Sequence, residues 1–226
     1  MLIAEDLLLL LTDDASGSLV VPGQQADAAL GGANLVELVL LRKVDLSGTG
    51  DAGEPGRIIV RDTVPAGDSV LDAALQIALA HQGSKPSTLI RLLGKDLRRL
   101  LYARLAASGV VRAEQGRMVG FFPAHRWPAQ DASHETQVRE QLTGALLGRA
   151  APEPRSAALI ALLHAFRCEH KVVDPRHCAL SRRQLRARAE QIAEGDWASA
   201  AVRQVIEETI AAVAAVAITA ATAGAG

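Results

Sequence analysis

Arg91, Lys95 and Arg98 stand four and three residues apart, the spacing that lines side chains along one face of a continuous helix. Phosphate recognition needs that convergence. A guanidinium holds two phosphate oxygens at once and an ammonium acts as a point charge, so Lys95 and Arg98 are candidates to grip a phosphomonoester. The competing reading is a solvated basic face opposite the stripe formed by Leu97, Leu101 and Leu105.

A second constellation follows. The segment from Arg117 to Trp127 concentrates Met118, Val119, Phe121, Phe122 and Trp127 in a chain that is only 3% aromatic, with Arg117 and Arg126 close by. Alternation over Val110 to Gln115 and Arg117 to Phe122 predicts a β-hairpin turning at Gly116. Its apolar tip suits a bilayer interface, a second subunit or this chain's own helices. A helix followed by Gly109 and a hairpin also fits a winged-helix DNA-binding module, although no helix before the hairpin carries a dense set of base-reading Asn, Gln and Arg.

His164, Cys168, His170, His177 and Cys178 cluster in sequence, but the interval from His170 to His177 does not match the spacing of structural zinc sites. Core cysteine and surface histidine is the simpler reading. No nucleophile elbow, phosphate-binding glycine loop or paired-carboxylate signature is present. Gly48, Gly50, Gly53 and Gly56 lack the strand-loop-helix context and the Lys-Ser or Lys-Thr ending of a phosphate loop. The expectation is a protein that is not an enzyme and has no cofactor.

The elements that must position these residues follow from composition and periodicity. With 226 residues, 49% of them hydrophobic and rich in Leu, Ala, Val and Ile, one sizeable and mainly α core is expected. A net charge of −1 supplies no overall field for nucleic acid or membrane, so any such binding must be local. Glu5 and Asp6 occupy the place where a signal peptide would carry positive charge, and the two cysteines allow one disulfide at most, which points to the cytoplasm. Thr209 to Ala223 is uncharged but short and Ala-rich, and reads as a core helix rather than a membrane span.

Helices are expected over Ile3 to Leu11, Ala33 to Arg42, from Asp68 and Ser69 onward, from Pro86 with a reset near Gly94, and over Lys95 to Ala107. Further helices are expected around Gln137 to Leu147, Ser156 to Phe166, Leu180 to Ala193, opened by a Ser181 and Gln184 capping box, and Trp197 to Thr219. Leu19 to Val21 reads as a short extended piece, and Val44 to Leu46 and Ile58 to Arg61 as short strands around a Gly-rich loop.

Several strings resemble the Golgi phosphoprotein 3 family. Ala4-Glu5-Asp6 followed by Leu7 to Leu11 is similar to the family's acidic-then-leucine opening helix, and Asn34-Leu35-Val36-Glu37-Leu38 to its second helix. Pro65-Ala66-Gly67-Asp68 with Leu71-Asp72-Ala73-Ala74-Leu75 resembles its more specific Pro-x-Gly-Asp…Leu-Asp-x-Ala-Leu signature. A basic helix, Ser108-Gly109-Val110-Val111 and the hairpin follow in the same order, so the resemblance covers most of the chain. It implies a mostly helical single domain over residues 1 to 226 with a pocket for the headgroup of phosphatidylinositol 4-phosphate. It also implies a hairpin used for oligomer contacts and membrane proximity. Lys95 and Arg98 match two basic pocket positions, whereas Pro22 and Gly31 stand where the family carries a pocket Trp and a pocket Arg. The richness in Ala, Gly and Arg fits the family's bacterial branch. The expected partners are an anionic membrane lipid and, through Met118, Val119, Phe121 and Phe122, a second copy of the chain. A purely protein-binding scaffold is the remaining alternative.

Overall fold

A run of five leucines cannot stay in water, and α1, Ile3–Leu10, is buried along its whole length. The computed structural model describes residues 1–48, 50–115, 125–173, 180–195 and 198–223. Among them are ten helices, α1 to α10, and four short strands, β1 to β4.

The central element is α2, Gly23–Leu40, which begins ten residues before the helix expected from Ala33. Gly31, Gly32 and Asp27 look like helix breakers in sequence. The structure uses the glycines for close approach. A Cβ on Gly31 would lie 2.1 Å from the Ile90 carbonyl oxygen, and one on Gly32 would lie 2.1 Å from Thr209 Oγ1. The first contact seats α4, Pro86–Gly94, against α2, and the second seats α10, Ala200–Ala223. Close helix packing here outweighs the intrinsic helix penalty of glycine, roughly 1 kcal/mol per residue.

Between α2 and α3 the chain forms an antiparallel pair, β1 at Val44–Leu46 and β2 at Ile58–Val60, in the register Val44↔Val60 and Leu46↔Ile58. Helix α3, Ser69–Ala80, is opened by Asp68, whose Oδ1 accepts from the Val70 and Leu71 amides. Gly67, at φ +82°, turns the chain back so that the Ala66 amide reaches Asp72 Oδ1 at 2.6 Å. The Pro-x-Gly-Asp signature is thus a helix cap.

After α4 the chain breaks: Lys95 is extended, Asp96 is left-handed at φ +59°, and α5 runs Leu97–Ala107. Strand β3, Glu114–Gln115, pairs with β4, His125–Arg126, in the register Glu114↔Arg126 and Gln115↔His125. The expected tight turn at Gly116 is therefore corrected: the partner strand lies at 125–126 rather than at 117–122. Met118, Val119, Phe121 and Phe122 lie outside the described residues. The base of this excursion is tied to the body by the Trp127 amide donating to the Gly17 carbonyl and by parallel stacking of Trp127 on Tyr102, with centroids 4.9 Å apart.

The remaining helices are α6, Ser133–Leu146, α7, Pro154–Ala165, α8, Glu169–Val172, and α9, Arg182–Ala193. Ser181 and Gln184 form the expected capping box on α9. In α10, Thr209 and Val213 are buried while Ala211, Ala214 and Ala215 face solvent, so the segment read as a core helix buries one face over this stretch. No helix among the described residues is long and apolar enough to cross a membrane.

Candidate functional site

Charged side chains gather in two places, and the first group, around the opening helix, is structural. Glu5 and Asp6 are each only 2% exposed, although a helix N-terminus in water would satisfy them equally well. Glu5 Oε2 accepts from the Leu2 amide at 2.8 Å, and its Oε1 lies 2.9 Å from Arg104 Nε. Arg104 in turn grips both oxygens of Asp68 at 2.9 and 2.5 Å. On the other side Arg155 reaches Asp6 at 2.8 Å, Glu37 at 3.0 Å and the Met1 carbonyl at 2.6 Å, while Glu37 Oε2 accepts from the Ile3 amide. His134 Nε2 stands 2.8 Å from Asp6 Oδ1.

Burial pushes the Glu37 carboxyl above its ordinary value, opposed by the Ile3 amide and by Arg155. Arg104 holds Asp68 below the usual carboxylate range. Burial by itself would lower the Arg155 pKa, but Asp6 and Glu37 more than offset it and the guanidinium is raised. All these carboxylates are matched by cations, so the acids of the opening motifs and of the Gly-Asp signature lock α1, α2, α3, α5 and α7 together.

The second group is the elbow between α4 and α5. Arg91, Lys95 and Arg99 are exposed and take part in no ion pair among the described residues. Arg98 behaves differently: its Nε donates to Asp27 Oδ1 at 2.8 Å, with Nη2 3.4 Å from Oδ2, across to the first half of α2. The break at Lys95 and Asp96 means that Arg91, Lys95 and Arg98 do not share one continuous helix. Lys95 instead lines a cavity of about 450 Å³ with Asn34, Asp96 and Arg99. Arg98 is not among its lining residues.

The positions implied by resemblance to carry a Trp and an Arg are used for packing. Pro22 is the N-cap of α2. At Gly31 a Cβ would also meet the Gly94 amide nitrogen at 2.7 Å, and one on Gly94 would meet the Asp27 carbonyl oxygen at 2.3 Å, so no long side chain fits between α2 and α4.

Two arginines sit in the first turn of α5, at the positive end of the helix dipole, where basic side chains cost roughly 0.3–1 kcal/mol. Asp96 at the N-cap makes no side-chain hydrogen bond that would offset this. Asp27 offsets this for Arg98, whereas no ion pair among the described residues does so for Arg99, and a local conflict left standing in this way is a feature that binding sites keep. Arg99 stands four residues after Lys95 and would share its face on an unbroken helix too, so the four-residue spacing that singles out Arg91 and Lys95 was itself the signal for Arg99.

Around the cysteine and histidine cluster, His164 Nδ1 lies 2.6 Å from Glu169 Oε1, and the buried Cys168 thiol contacts the Phe166 carbonyl. Burial raises the Cys168 pKa, which makes it a poor thiolate. No group of three potential metal ligands forms among the described residues, and His177 and Cys178 lie outside them.

The structure is thus a mainly helical body with acid-locked opening helices and a cationic elbow before a strand pair. The chain belongs to the Golgi phosphoprotein 3 (GPP34) family, whose model matches residues 3–209. No curated protein matches it.

Proposed function

We propose that this protein is a non-enzymatic peripheral membrane adaptor that docks on anionic lipid headgroups through the α4–α5 elbow, with Lys95 as its central contact. The observation that carries this reading is the set of three exposed, unpaired cations, Arg91, Lys95 and Arg99. Residues 85–104 hold six basic side chains and one acidic, in a chain whose net charge is −1. Leu100, 52% exposed beside Arg99, adds an apolar group able to enter the interface between headgroups. Arg98, matched by resemblance to a headgroup contact, joins the site when a phosphate competes with Asp27 for its guanidinium.

Base reading by α5 fits less well, because Arg98 and Arg104 are occupied by Asp27 and by Glu5 and Asp68. The family's phosphatidylinositol 4-phosphate is the first lipid to test, although Pro22 and Gly31 remove two of its expected contacts. Assembly through the segment containing Met118, Val119, Phe121 and Phe122 would multiply weak single-site contacts.

The test is co-sedimentation with phosphatidylcholine vesicles, alone or doped with phosphatidylglycerol or phosphatidylinositol 4-phosphate. Each cation near an anionic surface contributes about 1 kcal/mol, so the triple substitution Arg91→Ala, Lys95→Ala, Arg99→Ala is expected to weaken binding on the order of 100-fold. Equal sedimentation of native and triple variant, or no preference for anionic vesicles, refutes the reading.

A further inference from the structure

Asn34 opens one of the strings resembling the family, yet it has no part in the charge lock that explains Glu37 three residues later. It is 2% exposed, and its Oδ1 has no hydrogen-bond partner. Among the described residues the only other buried side-chain polar atom left so is Ser84 Oγ. A buried amide oxygen without a donor is costly, and a group that binds there and donates to it would relieve that cost.

Asn34 lines the cavity of about 450 Å³ between α3 and the α4–α5 elbow. The walls are apolar, with Val70, Ala74 and Ile77 from α3 facing Leu97 and Leu100 from α5. Lys95 and Arg99 also line it and are exposed, with Asp96 between them, so two cations and one acid stand at its solvent side. The order from solvent inward is cationic rim, apolar walls and a buried acceptor.

We propose that this cavity binds a single-chain anionic amphiphile bearing a hydroxyl group remote from its acid group. The acid meets Lys95 and Arg99, the chain lies between α3 and α5, and the hydroxyl donates to Asn34. A cation would be repelled at the rim, and a plain hydrocarbon chain would leave the Asn34 oxygen unpaired. Rotating the amide by half a turn exchanges its oxygen and nitrogen, so the group adjusts to the ligand's hydroxyl at little cost. The inference rests on the membrane-docking reading only in sharing Lys95 and Arg99; it assigns them a ligand that also binds free of any bilayer.

Isothermal titration with ω-hydroxydodecanoate, dodecanoate and dodecyltrimethylammonium, each below its micelle concentration, tests it. The hydroxy acid is expected to bind roughly tenfold more tightly than dodecanoate, and the ammonium compound not to bind. Asn34→Leu is expected to erase the preference between the two acids. Ala103→Trp, which fills the cavity from an exposed rim position, is expected to abolish binding of both with the circular dichroism spectrum unchanged. Equal affinity of native protein for the two acids, undiminished binding by Ala103→Trp, or no binding of either acid overturns the proposal. Both variants retain Arg91, Lys95 and Arg99, so their vesicle sedimentation reports separately on the docking reading.

Discussion

Replacing Arg155 by Met removes the cation shared by two buried carboxylates while keeping the apolar stem. Arg155 makes two contacts to Asp6 and one each to Glu37 and the Met1 carbonyl. Breaking a buried pair by deleting one partner costs about 3–5 kcal/mol; the 37% exposure of the Arg155 side chain argues for the lower end, about 3 kcal/mol. The deficit must depend on pH. Glu37 already has a folded-state pKa above its ordinary value, and without Arg155 it rises further. A group whose folded pKa is raised contributes stability below its unfolded pKa of about 4.5, and that contribution is lost as pH rises through the folded value. The variant's deficit is therefore full at neutral pH and shrinks on acidification towards the ordinary glutamate range. Urea denaturation of native and Arg155→Met protein across that range measures both quantities. A loss under about 1 kcal/mol at neutral pH, or one that stays constant on acidification, would refute the assignment of these acids as a buried lock.

Two further substitutions separate architecture from binding. Asp68→Asn keeps a competent helix cap but gives up the charge that pairs with Arg104, with an expected loss of about 1 kcal/mol at neutral pH in urea denaturation. Because the folded pKa of Asp68 is lowered, this contribution persists above pH 3.8 and disappears as pH falls through the folded value, a window more acidic than that of Glu37. Asp27→Asn releases Arg98 from its ion pair and is expected to strengthen sedimentation with anionic vesicles several-fold, an effect abolished by added salt; unchanged or weaker sedimentation would mean that Arg98 does not contribute to the docking face.

Features set by neighbours in the chain were legible from sequence. The Ser181 and Gln184 capping box, the short strands at Val44–Leu46 and Ile58–Val60 around their Gly-rich loop and the interruption after Gly94 all depend on residues close to one another in the chain. The first half of α2 was not, because what rescues Gly31 and Gly32 from their poor helix propensity is Ile90 on α4 and Thr209 on α10. The strand partner of Glu114–Gln115 was misplaced for a related reason: alternation marks a strand but does not choose its partner. Nothing in the local sequence around Glu5 and Asp6 announces their partners, because Arg104 lies 99 residues from Glu5 and Arg155 lies 149 residues from Asp6.

The amino-acid sequence by itself determined the family, the helical class and the concentration of basic residues between Lys85 and Arg104, since these are properties of order and periodicity along one dimension. Tertiary structure decided which of those charges are free. Asp27 claims Arg98, Asp68 and Glu5 claim Arg104, and the break at Lys95 and Asp96 sets Lys95 and Arg99 around the cavity that also holds Asn34. A charge is silenced or left available by what lies within about 4 Å of it, and chain spacing cannot state that distance.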